Sequence, residues 1–64
     1  MNRQILNMAQ RAYDEDNMPH LRAIRDRLDA LYERAPVPEV LATLRAVDDL
    51  LGQLRRDRAA ARRA

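Results

Sequence analysis

Apolar residues recur at helical spacing through three stretches of this chain, and no stretch alternates as a strand requires. The first stretch places Ile5, Ala9, Ala12 and Tyr13 on one face, with Leu6 and Met8 beside them. Its stripe relies on alanine, which offers little area to bury but allows close helix approach. The second places Leu21, Ile24, Leu28, Leu31 and Ala35 at heptad spacing, with Arg22, Arg25, Asp26, Arg27, Asp29 and Glu33 turned outward. The third runs through Val37, Val40, Leu44, Val47, Leu51 and Leu54, with Leu41 and Leu50 on its flanks. Leu44 and Leu51 stand at the centre of that stripe.

The breakers fall between these stretches. Pro19 and the Pro36-Val37-Pro38 cluster are the strong ones, and Gly52 is the sole glycine. They predict helices over 2–16, 19–35 and 38–60. Pro19 and Pro38 each suit a first helical turn, and each disfavours helix at the residue before it. The acids Asp14, Glu15 and Asp16 oppose the dipole of the helix they follow and favour the one they precede, so a boundary belongs near Asp16–Met18. The expected fold is a single all-α domain over residues 1–64. It has three helices, with the second and third forming an antiparallel pair. The third helix should span about 34 Å and the second about 25 Å. One end should therefore overhang unless a partner covers it.

Size turns this pattern toward association. A 64-residue chain buries a modest fraction of its surface and is marginal without disulfides, metal or a partner chain. There is no cysteine, and His20 is the single histidine. Disulfides, thiolate sites and histidine-rich metal sites are thereby excluded, which leaves oligomerisation. Leu41 and Leu50 flank a stripe already wide enough for one neighbour. The expectation is a homodimeric helical bundle with coiled-coil-like packing, its interface formed by Leu41, Leu44, Val47, Leu50, Leu51 and Leu54.

The residues offer little for catalysis. The chain lacks serine and cysteine, and its hydroxyls are Thr43, Tyr13 and Tyr32. No base stands beside Thr43, and His20 in the first turn of the second helix has no nucleophile to serve. The cluster Asp14-Glu15-Asp16-Asn17 resembles a cation loop only in its carboxylates, without the glycine and distal glutamate of an EF-hand; it reads as a solvated turn. Asp48 and Asp49 point about 100° apart on a helix and cannot converge. Asp48 reads either as an interface specificity residue or, more simply, as a boundary residue paired with Arg45. Within the second helix, Arg22 can pair with Asp26 and Arg25 with Asp29. No catalytic residue, metal ligand or cofactor is expected.

Charge is uneven. All twelve basic residues are arginine, a bias that, with the abundant alanine, fits a GC-rich bacterial genome. Residues 1–54 hold seven arginines and nine acids, and residues 55–64 hold five arginines and one acid. The body is thus net −2 and the tail net +4. The tail favours helix but has no apolar anchor larger than alanine, so it is expected to fray or project into solvent. Arg55, Arg56, Arg58, Arg62 and Arg63 are candidate phosphate contacts, although no aromatic residues interleave with them for base stacking. A simpler role is solubility and complementing the dipole of the third helix.

No apolar run approaches the roughly 20 residues of a membrane span. The opening MNRQILNMAQR lacks a signal-peptide core, so a cytosolic protein is expected. The span Arg3–Pro36 has the tetratricopeptide period of about 34 residues. It lacks that repeat's tryptophan, glycine and second-helix Ala/Phe spacing, and no second copy follows, so it reads as a generic helix hairpin. The functional expectation is a non-enzymatic protein-interaction module acting as an oligomer. The alternative is a small nucleic-acid-associated regulator that contacts phosphates through its tail.

Overall fold

The computed structural model describes residues 2–63; Met1 and the final tail residue, Ala64, lie outside it. Three helices, α1 (Asn2–Asp14), α2 (Met18–Arg34) and α3 (Pro38–Arg63), pack against one another. The described residues contain no strand. None of their helices is long and apolar enough to cross a membrane.

The α1–α2 junction is built by short-range hydrogen bonding. The Asn17 N–H donates to the Ala12 carbonyl at 2.8 Å and the Asp16 N–H to the Tyr13 carbonyl at 3.0 Å. This pair of bonds is a Schellman closure. It needs a left-handed residue, and Asp16 supplies it at φ 56°, where glycine is the usual choice. Asn17 then opens α2 at once, its side chain accepting from the His20 N–H at 3.2 Å. One short turn therefore ends one helix and caps the next, with Pro19 in the new first turn.

The α2–α3 junction is set by proline. Pro36 pushes Ala35 out of helical geometry, to φ −138° and ψ 82°. The Val37 carbonyl accepts from Val40 and Leu41 at 3.1 and 3.2 Å, and Pro38 starts α3 without a donor to leave unsatisfied.

The core gathers Ala9 and Ala12 of α1, Met18, Leu21, Ile24 and Leu28 of α2, and Val47, Leu51 and Leu54 of α3. Ala9 and Ala12 are wholly buried, which is how the small-residue stripe brings α1 close to its neighbours. In α3, Val40, Val47, Leu51 and Leu54 are buried as the stripe predicts, but the buried face is displaced at one position. Thr43 is buried at 3 % exposure, whereas Leu44 is only half-buried. Thr43 is accommodated because its hydroxyl donates to the Glu39 carbonyl at 2.9 Å, leaving its methyl to pack as an apolar group. The helix is thereby turned relative to the leucine stripe, and Leu44 stands on a flank.

Of the two expectations for the tail, projection into solvent is the one observed: helix α3 continues past residue 60 to Arg63, with residues 59–63 exposed. The molecule is elongated, 42 × 18 × 16 Å, its long axis set by a 26-residue helix of about 39 Å.

Candidate functional site

Contacts from α1 and the α1–α2 turn hold the C-terminal part of α3. The Tyr13 hydroxyl donates to Asp57 Oδ2, and Gln53 Nε2 donates to Asp57 Oδ1 at 2.8 Å. The hydrogen bond from Tyr13 draws the Asp57 carboxyl below its ordinary range, with Gln53 adding to the effect. The same bond to Asp57 raises the Tyr13 phenol above its usual value. Next to this pair, Arg58 Nε donates to Asp16 Oδ1 at 3.0 Å and Arg58 Nη2 to the Asp16 carbonyl at 3.0 Å. Neither contact is visible as a sequence motif, because the partners lie more than forty residues apart.

These contacts divide the candidate phosphate ligands. Arg58 is committed to the α1–α2 turn. Arg55, Arg56, Arg62 and Arg63 remain exposed, with the Arg56 guanidinium donating to Gln53 Oε1 at 3.0 Å. Arg55, Arg58 and Arg62 share one side of α3, where Arg22 of α2 joins them around an open depression with Met18 and Ala59. Arg22 was not among the residues the sequence marked for phosphate.

The candidate interface residues divide as well. Val47, Leu51 and Leu54 are spent in the core of the single chain, while Leu41, Leu44 and Leu50 are half-buried at its edges. Two expected ion pairs within α2 are replaced: Arg25 meets Asp26 at 3.1 Å and reaches Asp48 of α3 at 4.0 Å. Asp48 thus faces α2 rather than pairing with Arg45.

An apolar groove of about 200 Å³ lies between α1 and α2, lined by Ile5, Met8, Ile24, Leu28 and Leu31, with Arg27 at its edge. Met8 is 47 % exposed and Val37 45 %. Leu31, Tyr32, Leu41 and Leu44 are half-buried. Leu31 lines that groove beside Ile5 and Met8, and Tyr32, Leu41 and Leu44 mark the α2–α3 junction end of the molecule.

The other chemical candidates do not gather into a site. His20 is exposed in the first turn of α2, and the Thr43 hydroxyl is engaged by its own helix. In the acidic turn, Asp14 accepts from Gln10 at 3.0 Å, Asp16 holds Arg58 and Asn17 caps α2. Among the described residues no three His, Cys, Asp or Glu side chains are grouped to hold a metal ion. Comparison with known protein families, curated proteins and solved structures finds no match.

Proposed function

We propose that this chain is a non-enzymatic interaction module that associates with a second copy of itself through its exposed and half-buried apolar side chains. In this reading the three helices form a bundle with α2 and α3 antiparallel. The contact of Arg25 with Asp48, and the placing of Met18 and Arg22 around one depression with Arg55 and Arg58, support that direction, since rising numbers on α2 meet falling numbers on α3.

The observation that carries the reading is the surface. A typical monomer of 7.4 kDa exposes about 4200 Å², whereas this chain exposes 4882 Å². The surplus of about 700 Å² is close to the roughly 800 Å² each partner contributes to a standard interface. Apolar area for such a contact is offered by the exposed Met8 and Val37 and by the half-buried Leu31, Leu41 and Leu44. A second copy brings the same unsealed leucines, and a two-fold contact places like patches together.

Light scattering on the chain as it elutes from a sizing column tests this. Met8→Glu and Val37→Glu each put a charge on an exposed position that the single chain does not need, so both variants should keep their helical circular dichroism while losing the dimer mass. Retention of dimer mass by both would overturn the assignment of this surface.

A second reading, phosphate binding by the arginine-rich tail, is favoured by its helical display of the exposed Arg55, Arg56, Arg62 and Arg63. Elution from heparin only at raised salt would support it, and early elution would exclude it.

A further inference from the structure

We propose that Arg22, Arg55 and Arg62 form a two-helix phosphate-binding cleft, braced by Arg58, that takes the phosphodiester backbone of a nucleic acid. The proposal rests on the second reading above and deepens it, because it replaces a diffuse basic tail with a defined site that includes a residue of α2.

The depression between α2 and α3 is about 300 Å³ and is lined by Met18, Arg22, Arg55, Arg58, Ala59 and Arg62. Four of those six residues are arginines, and they come from two helices. Arg58 is fixed by its two 3.0 Å contacts to Asp16. Among the described residues, Arg22, Arg55 and Arg62 have no carboxylate within ion-pair distance. The nearest acid along α2, Asp26, is held by Arg25 at 3.1 Å. Like charges gathered at helical neighbour spacing repel and destabilise the helix that carries them. Arg22 of α2 adds a further guanidinium to that cluster.

An anion bridging these groups would offset the repulsion, and guanidinium is the cation best matched to phosphate because it binds in a bidentate fork. The site is open and lacks a buried polar side chain to orient a small metabolite, so it suits a repeating polyanion better than a single compact one. Arg55 and Arg62 lie about 10 Å apart along the helix axis, a span that can follow a backbone. A membrane surface fits less well, since the rim carries no large exposed apolar side chain to enter a bilayer.

The test is fluorescence titration of the 64-residue chain with a labelled random-sequence DNA duplex across a salt series. Tripolyphosphate and phosphatidylserine vesicles serve as parallel probes. Arg22→Ala and Arg62→Ala lie in the cleft; Arg56→Ala and Arg63→Ala lie outside it and serve as controls. All four side chains are exposed, and circular dichroism verifies folding. The expected result is duplex binding that each cleft variant weakens roughly tenfold, the value of a charge-assisted contact. Each cleft variant should also flatten the log-affinity against log-salt slope by about one unit, while the controls change it little. If Arg22→Ala is silent and all tail arginines count equally, the cleft is refuted while tail binding stands. If the duplex does not bind at all, both fail. Tripolyphosphate or vesicles binding more tightly than the duplex would overturn the nucleic-acid assignment.

Discussion

Replacing Leu51 by alanine, with Leu44→Ala as its control, tests how α3 is turned in the core. Leu51 is 1 % exposed and packs in the main cluster, whereas Leu44 lies at the cluster's edge. Removing three buried carbons costs about 2.4 kcal/mol at 0.8 kcal/mol each. The cavity left behind raises the total toward the 2–5 kcal/mol seen for buried leucines. A half-buried leucine loses about half the transfer term and leaves a site open to water, so Leu44→Ala should cost about 1 kcal/mol. A domain of this length has a total stability of roughly 3–10 kcal/mol, so the first change consumes much of it and the second does not. Urea unfolding followed by helical circular dichroism, at one fixed protomer concentration, measures both. Equal losses for the two variants would refute the rotation of α3 that buries Thr43 and would restore Leu44 to the centre of the stripe.

Two further outcomes follow from local geometry. The Tyr13–Asp57 bond stabilises the fold only while the carboxyl is ionised and the phenol protonated. The Asp57 contribution is present above its unfolded pKa and is lost as pH falls through its lowered folded value. The Tyr13 contribution is present below its unfolded pKa, near 10, and is lost as pH rises through its raised folded value. Tyr13→Phe should therefore flatten both limbs of the stability–pH curve, and unchanged limbs would show that the bond contributes nothing. Gly52→Ala should stabilise α3 by about 1 kcal/mol, because a Cβ there would meet only the Arg56 guanidinium, at 3.6 Å. A destabilised or dissociated variant would instead place a neighbouring chain against that face.

How much of this was legible in the sequence depends on the range of the interaction. Helix α2 could be read almost residue by residue, because its buried Leu21, Ile24 and Leu28 keep heptad spacing and Pro19 marks its first turn. The start of α3 was equally plain from Pro38. Periodicity failed at Thr43, since a hydropathy pattern scores the hydroxyl and does not see that the Glu39 carbonyl satisfies it. In the tail, the alanine and arginine composition favours helix, but periodicity does not show where that helix is anchored. The helix is held there by Asp57 and Arg58 reaching Tyr13 and Asp16 across the fold. The leucines chosen for an interface were apolar enough for that role, but periodicity cannot say whether a stripe faces its own chain or another. Arg22 was hidden for the same reason: its place beside Arg55 and Arg62 is a product of tertiary packing.

Sedimentation equilibrium of the 64-residue chain decides whether a second copy completes this fold. At micromolar protein the fitted mass should be at least twice the 7.4 kDa of the chain, falling toward one chain on dilution, with a melting temperature that rises with concentration. A single-chain mass at every concentration, with a melting temperature that does not move, would contradict it.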